Sequence, residues 1–359
     1  RPSASESKPK TFSLDKSIFE GRSSSKICML FIYNLYIQRQ NNIVYFLIMK
    51  VLIFGASGNL GRNLTRKLVK NNCKIKAYTR STHTRGNRLK VLGPIGYIEI
   101  VEGSIFDLNK IDILTKEADV VVNLVGVLNE KNKANSFENI HIKFPYALSE
   151  LCAKNNVSQL VHLSALNIEN IHDSKYATSK FEGEKAIKKN FKNSTIIKPS
   201  ICAGPDDNFT NLFFRLLKLF PIFPLFHGGK TKFQVVYVGD VTEVILKVIK
   251  DKIFSETIEC VGPKIYTFAE IIKILCKQIN KKRLLIPLPD FLGRYSSLLL
   301  SKFPGSLITY DQYKLLRYDN ILTNKFKTNT DIGVKCSTDF NELLSRYSYL
   351  YREGGQYSK

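Results

Sequence analysis

Residues 51–61 read VLIFGASGNLG, and this stretch decides the fold. Its apolar run, Val51–Phe54, is typical of a buried parallel strand. Three glycines follow with the spacing GxxGxxG, and a helix is predicted over Leu60–Lys70. A strand that enters a glycine-rich turn and then a helix is the pattern of a dinucleotide phosphate site.

Each glycine of this turn has a separate expected role. Gly55 permits the tight turn, Gly58 lets a pyrophosphate approach the backbone, and Gly61 lets the helix pack closely. The start of the helix presents free N–H groups and the positive end of its dipole to the phosphates. We therefore predict dinucleotide contacts from Gly55, Ser57, Gly58, Asn59, Leu60 and Gly61.

Strand and helix patterns alternate through the following residues. This alternation predicts an α/β fold of the Rossmann type, a doubly wound parallel sheet with a small C-terminal substrate-type lobe. Two helices are predicted over Phe137–Asn155 and Val241–Lys250. Further strands are predicted over Lys74–Thr79, Tyr97–Val101, Val120–Val125, Gln159–Ser164, Ile196–Lys198 and Gln234–Val238, the last returning to the sheet.

Four regions are predicted along the chain. Residues 49–200 form the dinucleotide-binding domain, 201–345 the C-terminal lobe, and 346–359 a frayed polar tail. Residues 1–48 are expected to be a disordered or non-native extension, because a first strand directly after Met49 is consistent with a biological start there. A targeting peptide is the alternative for this extension, although its acidic residues disfavour it. Its apolar part, 27–48, is too interrupted by polar residues to span a bilayer.

The end of the second strand bears on the choice of dinucleotide. It reads Thr79-Arg80, where an acid would bind the ribose 2′-hydroxyl of NAD. Arg80, assisted by Arg62, suits the 2′-phosphate of NADP, so NADP(H) is favoured over NAD(H). A solvated loop arginine is the alternative reading of Arg80. Further along the chain, we expect cofactor contacts from Asp107 at the adenine amine and from Val125, Gly126 and Pro199.

A candidate catalytic set follows the fifth strand. Ser164 closes that strand, and Tyr176 and Lys180 lie four residues apart, so they share one helix face. We expect the Lys180 ammonium to lower the pKa of the Tyr176 phenol and to hold the nicotinamide ribose. Ser164 would bind a substrate oxygen while Tyr176 passes the proton. His141 and His162 lie on apolar segments and are predicted to be packed structural residues.

Composition excludes several other classes of protein. The net charge is +23, but the lysines are dispersed and lack interleaved aromatic residues, so no nucleic-acid partner is expected. The seven cysteines are scattered and form no CxxC pair or cluster with histidine. We therefore expect reduced thiols in a cytosol-like compartment and no metal site.

Several longer segments carry a resemblance to a known family. They are FGASGNLGRNL (54–64), NIHIKFPYALSELCAKNNVSQLVHLSALN (139–167), KYATSKFEGEKAI (175–187), IIKPSICAGPDDNFTNLF (196–213) and FQVVYVGDV (233–241). Together they resemble the atypical, extended branch of the short-chain dehydrogenase/reductases. Within that branch, the chain is similar to the nucleotide-binding accessory subunits of respiratory complex I and their bacterial, epimerase-like relatives. The likeness runs from Lys50 to about residue 330.

This resemblance implies a tightly held, largely structural NADPH and a role in building or steadying complex I. It implies complex I subunits or a membrane surface as partners, and a location in the cytoplasm, peripheral to the inner face of the energy-transducing membrane. It also implies a fourth helper residue, assigned to Asn139. The alternative is an active NADP-dependent oxidoreductase, or a nucleotide-sugar epimerase or dehydratase, that uses Ser164, Tyr176 and Lys180.

Two strongly apolar stretches mark the lobe. Phe209–Phe226 and Asp290–Tyr310 each combine aliphatic and aromatic residues with a few basic ones. They are read as buried helices that line a pocket, or as a surface that docks on a membrane or a membrane-embedded partner. Prolines in both stretches disfavour transmembrane helices.

Overall fold

The computed structural model describes residues 48–130, 132–300 and 309–357. The predicted N-terminal extension, residues 1–47, and part of the second apolar stretch, 301–308, lie outside them. The strands are β1 (Lys50–Phe54), β2 (Lys74–Thr79), β3 (Ile98–Glu102), β4 (Val120–Asn123), β5 (Gln159–Leu163), β6 (Ser194–Pro199), β7 (Cys202–Ala203), β8 (Ile222–Leu225), β9 (Lys232–Phe233), β10 (Val236–Tyr237), β11 (Thr257–Cys260), β12 (Tyr266–Thr267), β13 (Leu284–Pro287) and β14 (Lys327–Thr328).

The α-helices alternate with these strands along the chain. They are α1 (Asn59–Lys70), α2 (Asn87–Lys90), α3 (Leu108–Lys116), α4 (Phe144–Lys154), α5 (Lys175–Asn190), α6 (Thr210–Leu219), α7 (Val238–Lys250), α8 (Phe268–Gln278), α9 (Asp290–Leu300), α10 (Tyr310–Leu315) and α11 (Phe340–Ser345).

An eight-stranded sheet forms the centre of the molecule. Its strand order is β14-β11-β6-β5-β4-β1-β2-β3, and every pair is parallel. The chain leaves β1 toward β2 and β3 on one side and continues from β4 toward β6 on the other. The order therefore reverses between β1 and β4, and ligands of such sheets bind in the crevice at the carboxyl ends of these strands. The predicted doubly wound Rossmann fold is confirmed.

Two apolar layers sandwich this sheet. Val51 and Ile53 face a cluster that includes the inner sides of α1 and α7. Leu52 and Phe54 face the opposite cluster, to which α3, α4 and α5 contribute. Because both faces are covered, β1 is apolar throughout rather than alternating, which explains its unbroken run of hydrophobic residues.

The lobe has its own core. The buried faces of α6, α8 and α11 meet there, with Phe214, Leu275 and Leu344 at 0% exposure. In the two-stranded parallel sheet of β8 and β13, Phe223 and Leu225 point into this core, whereas Ile222, Leu284 and Ile286 are exposed. The first apolar stretch thus contains a buried helix and also an exposed apolar strand face.

The predictions for two segments need correction. The strand predicted over Gln234–Val238 is limited to β10, which pairs with β7 in a separate small sheet; β11 and β14 are the late strands that return to the main sheet. The helix predicted over Phe137–Asn155 begins as a π-helical segment, Glu138–Lys143, which leads into α4. Both differences arise because tertiary pairing, rather than local propensity, decides where short elements begin and end.

The prediction of a frayed polar tail is also wrong for residues 347–352. Tyr347 is 2% exposed, and the Tyr351 ring stacks on Phe214 with centroids 4.9 Å apart. The Arg352 guanidinium donates from Nε to the carbonyl of Gln278 at 2.7 Å. The two tyrosines hold this segment against the lobe, because the burial of their aromatic rings stabilises it by more than the ordering of its polar residues destabilises it.

Candidate functional site

The glycine turn lies at the reversal of strand order. Gly55 has a φ of +82°, and a Cβ added to it would lie 3.2 Å from the backbone of Leu124, the residue after β4. A Cβ on Gly61 would lie 2.3 Å from the carbonyl oxygen of Gly55. Gly61 is therefore required for packing of α1 against the turn itself.

The start of α1 is open to an anion. Gly58 is its N-cap and provides no side-chain hydrogen bond, and the first turn contains no acidic residue. Uncapped N–H groups and the positive end of the helix dipole favour a phosphate at this position. Asn59 and Leu60, in the same turn, line a cavity at the carboxyl edge of the sheet.

The residues expected around the adenosine half occupy separate positions. Arg80 is exposed directly after β2, and no acid follows that strand until Glu99, in β3. Arg62 donates to the Ser57 carbonyl at 2.7 Å and pairs with Asp206 at 2.7 Å, so its expected help with a 2′-phosphate is not supported. Asp107 caps α3 by accepting from the Lys110 N–H at 3.1 Å, a role that sequence reasoning did not assign to it.

A cavity of about 550 Å³ brings most of the predicted chemistry together. Tyr176 and Lys180 reach it from α5, and Ser164 reaches it from the end of β5. Of the predicted site residues, those that line it are Asn59, Leu60, Gly126, Ser164, Tyr176, Lys180 and Pro199. Those that do not line it are Gly55, Ser57, Gly58, Gly61, Arg80, Asp107 and Val125.

The charges on the two α5 side chains differ from the prediction. Burial raises the pKa of Tyr176 to about 12 and lowers the pKa of Lys180 to about 8. The Lys180 ammonium donates to the Leu163 carbonyl at 2.8 Å. Lys180 therefore does not lower the pKa of the phenol as expected, because loss of water destabilises the charged forms of both groups. Tyr176 is a neutral phenol here.

His141 lies in the π-helical segment Glu138–Lys143, which precedes α4, and contacts Tyr176. Its Nε2 accepts from the Val127 N–H at 3.1 Å, which places the proton on Nδ1, 2.9 Å from Ser179 Oγ. Its ring meets the Tyr176 ring edge to face with centroids 5.4 Å apart. Burial and the nearby Lys180 charge lower its pKa to about 2, so the ring is neutral. The prediction that His141 and His162 are packed is confirmed, since each is 1% exposed.

A buried ion network lies behind Ser164. The Ser164 hydroxyl donates to Glu184 Oε1, and Lys198 Nζ lies 3.2 Å from the other oxygen of that carboxylate. Lys198 also donates to Glu169 at 2.7 Å. Both Lys198 and Glu184 are at most 1% exposed. Burial raises the pKa of Glu184, and the Lys198 charge opposes that rise. Ser164 thus directs its proton at Glu184 rather than at the cavity.

The first turn of α5 is held from the lobe. Asp311, on α10, accepts from the backbone N–H groups of Lys175 at 2.9 Å and Tyr176 at 3.0 Å. It also accepts from the Ser174 hydroxyl at 2.8 Å. The lobe therefore fixes the start of the helix that carries Tyr176.

Sequence reasoning missed these supporting residues and misplaced one. Asn139, expected as the fourth helper, donates its amide to the Lys133 carbonyl at 2.8 Å and does not line the cavity. A signal for Glu184 existed, because it is spaced four residues from Lys180 on the face that carries Tyr176. Asp311 gave no local signal, since it lies 135 residues from Tyr176.

The described part of the chain lacks both a metal-binding cluster and a membrane-spanning helix. Residues 48–130, 132–300 and 309–357 contain no group of three or more His, Cys, Asp or Glu side chains able to hold a metal. Within the same ranges, no helix has the length and apolar character needed to cross a membrane. All the cysteines there are free thiols.

Sequence comparison finds similar proteins in respiratory complexes. The chain is 27% identical over 307 residues to the mitochondrial 40 kDa subunit of NADH-ubiquinone oxidoreductase of Neurospora crassa, covering 85% of this chain and 80% of that protein. It is 27% identical over 287 residues to subunit 9 of the NADH dehydrogenase 1 alpha subcomplex of Mus musculus, also mitochondrial, covering 79% and 75%.

Structural comparison and a family model agree on the fold. The dTDP-glucose 4,6-dehydratase of Bacillus anthracis, solved with NAD, superposes with a TM-score of 0.64 at 16% identity, covering 84% of this chain and 96% of that one. The model of the NAD dependent epimerase/dehydratase family matches residues 51–259, from the first strand to the end of β11. The chain belongs to the NAD dependent epimerase/dehydratase family.

Proposed function

We propose that the protein is an accessory subunit or assembly factor of respiratory complex I that holds a nicotinamide dinucleotide as a structural cofactor. The observation that carries this proposal is the uncapped start of α1 beside the glycine turn. The chain matches most of the length of two relatives that are named as subunits of the NADH dehydrogenase of the respiratory chain, complex I. The turn supplies the phosphate site, and the relatives indicate the assembly.

The arrangement of the catalytic set supports holding rather than turnover. The Ser164 proton is directed at Glu184, and Tyr176 has a pKa of about 12. Proton transfer is most effective when the donor pKa lies near the working pH, which this phenol does not meet. Lys180, which faces the cavity, would hold the nicotinamide ribose in this proposal.

An active oxidoreductase, or a nucleotide-sugar epimerase or dehydratase, is the second candidate. One observation favours it: Ser164, Tyr176 and Lys180 line a single cavity despite their separation in sequence. In that function Ser164 would bind the substrate oxygen, Tyr176 would transfer the proton, and the bound dinucleotide would supply or accept the hydride.

NADP(H) is the dinucleotide that we propose. The exposed Arg80 follows β2 where an acid would favour the free ribose hydroxyl of NAD. With Arg62 paired to Asp206, Arg80 is the residue that we assign to the 2′-phosphate. Asp107 remains the proposed contact of the adenine amine, since one of its oxygens caps α3 and the carboxylate stays exposed.

The exposed apolar face of the lobe is the surface that we propose for docking in the complex. Ile222 and Leu284 are 51% and 60% exposed on β8 and β13, and Phe291 is 60% exposed on α9. Exposed basic residues, Lys218 and Lys282, flank the strand pair. This combination fits a partner at the surface of the energy-transducing membrane. Because the relatives are named mitochondrial, we place the protein at the inner, matrix-facing side of that membrane.

The test separates binding from chemistry. Gly58→Asp places a carboxylate at the phosphate site, and Tyr176→Phe removes the phenol while retaining the ring. We expect Gly58→Asp to lose the dinucleotide and the comigration with complex I, and Tyr176→Phe to retain both. Native gels of detergent-solubilised membranes and mass spectrometry of the bound nucleotide provide the readouts. Equal loss of respiration in both variants would instead favour the enzyme.

A further inference from the structure

We infer that the cavity beyond Ser164 and Tyr176 binds an uncharged, chain-like hydrocarbon that ends in a hydroxyl group, a neutral lipid alcohol. The inference rests on the proposed function, which places the dinucleotide at the end of this cavity lined by Asn59, Leu60 and Lys180, and it adds a second ligand in the remainder. Three observations carry it: the apolar walls, the sign of the charges at the rim, and the hydrogen-bonding roles at the polar end.

The walls of the cavity are mainly hydrocarbon. They come from the segment between β5 and α5, from the start of α6, and from α10 with the residue after it. Apolar residues of these segments that line it include Leu166, Ile168, Ile171, Leu212, Leu315 and Leu316. A volume of about 550 Å³ is adequate for a small molecule. An apolar chain that leaves water for these walls gains free energy in proportion to the area it buries.

Apart from the start of α1, which the proposed dinucleotide occupies, the cavity offers little positive charge for a second nucleotide diphosphate. Among the described lining residues, Lys180 is the single cation, and its ammonium is engaged by the Leu163 carbonyl at 2.8 Å. Asp206, Asp207 and Asp319 also line the cavity. A second diphosphate would need further Arg or Lys side chains or backbone N–H groups to replace its hydration. Asp206 pairs with Arg62, and Asp207 accepts from the N–H groups of Gly204 and Thr210, so both carboxylates already have partners and are not available to hold a cation. Because the Asp319 carboxylate likewise accepts from the Lys232 N–H at 2.8 Å, we assign an uncharged ligand to this part of the cavity.

The polar end of the cavity distinguishes an alcohol from a carbonyl compound. The Ser164 hydroxyl donates to Glu184, whose other oxygen lies 3.2 Å from the Lys198 ammonium, so Ser164 offers the ligand a lone pair. The Tyr176 phenol is neutral and can donate. A ligand hydroxyl satisfies both groups, because it donates to Ser164 and accepts from Tyr176. A carbonyl oxygen accepts only and leaves Ser164 without a donor.

The experiment uses the protein as purified with its bound dinucleotide. Calorimetric titrations compare geraniol, its aldehyde geranial, and UDP-glucose. We expect saturable binding of geraniol, roughly fivefold weaker binding of geranial for the loss of one hydrogen bond, and no binding of UDP-glucose. Binding of UDP-glucose without binding of geraniol, or no binding of either, overturns the inference. Tighter binding of geranial than of geraniol overturns the assignment of a hydroxyl end.

Two variants locate the ligand. Leu212 is half-buried and Leu128 is 50% exposed, and both line the cavity. We expect Leu212→Arg and Leu128→Arg each to weaken geraniol binding roughly tenfold or more, since an apolar chain would desolvate the new charge. Leu350→Arg, at a leucine 61% exposed outside the cavity lining, is the matched control and should bind normally. Unchanged affinity in both cavity variants contradicts the site.

The readouts keep this inference separate from the proposed function. Nucleotide content, measured by mass spectrometry on each preparation, reports on the dinucleotide site and on folding of the variants. A preparation without dinucleotide refutes the proposed function, while geraniol binding to it still decides the inference. A preparation that retains dinucleotide but binds no geraniol refutes the inference alone.

Discussion

The glycine turn and the Tyr176 face of the same crevice are built in different ways. The turn is held by contacts within Gly55–Gly61 and by the neighbouring residue Leu124. The Tyr176 face depends on partners dispersed through the chain: Ser164, Glu184 and Lys198 behind it, and Asp311 from the lobe. A site made of local backbone geometry can be read from local sequence, whereas a site made of buried charges depends on the whole fold.

The largest expected effect comes from removing the cation of the buried network. Lys198→Met leaves the Glu169 and Glu184 carboxylates buried without their shared partner. We expect a loss of about 3–5 kcal/mol in the free energy of unfolding, measured by urea denaturation. A loss below about 1 kcal/mol would contradict the view that this buried network stabilises the Tyr176 face.

A matched control for this variant lies on the exposed side of α5, the helix that carries Glu184. Lys185→Met breaks an ion pair with Glu182 whose side chains are 56% and 46% exposed. We expect less than about 1 kcal/mol there, because water and salt screen exposed pairs. Similar losses in both variants would show that burial does not set the strength of these pairs.

The next effect is a pH dependence that arises from His141. Its pKa is about 2 in the folded protein and 6.5 in the reference state, so below pH 6.5 the unfolded chain binds a proton that the folded chain does not. Stability present above pH 6.5 is therefore lost as the pH falls. Between pH 7.5 and pH 5, we expect His141 to account for about 2 kcal/mol of that loss.

His141→Gln tests this dependence, with His172→Gln as the control at an exposed histidine. Urea denaturation across the pH range should give a shallower acid slope for the first variant than for the parent protein. The control should keep the parent slope. An unaltered slope in His141→Gln would mean that the ring titrates normally, which its burial against Tyr176 argues against.

The smallest effect concerns the edge of the dinucleotide site. Arg80→Ala should reduce the preference for NADPH over NADH by roughly fivefold, about 1 kcal/mol, because exposed charge pairs are partly screened. Fluorescence titration of protein stripped of nucleotide measures both affinities. Arg66→Ala, at an exposed arginine on α1, is the control. Equal loss of affinity for both dinucleotides would contradict the assignment of Arg80 to the 2′-phosphate.

Much of the fold was readable from the sequence because its signals are local. Val51–Phe54 and the glycines specify a strand, a turn and a helix through sterics and hydrophobic pattern alone. The reversal of strand order follows from the alternation of strands and helices. Strand pairs of two residues, such as β7 with β10, carry too little pattern to be read and are set by what packs around them.

The electrostatics of the candidate site could not be predicted in the same way. The spacing of Tyr176 and Lys180 predicted a shared helix face, and both side chains line one cavity, but the spacing gave no measure of their burial. Burial reversed the expected direction of the pKa of Tyr176. Glu184 sits in a lysine-rich helix that reads as a solvated face, and its 1% exposure follows from Lys198, on a strand that is adjacent only in the folded protein.

The bond between Asp311 and the start of α5 couples two parts of the molecule mechanically. Because the Asp311 carboxylate accepts from the N–H groups of Lys175 and Tyr176, a shift of α10 also shifts the helix turn that carries the phenol. A displacement of α10 away from the sheet is therefore passed to the first turn of α5, which carries the Tyr176 phenol. The position of the phenol in the crevice therefore depends on how firmly α10 is attached.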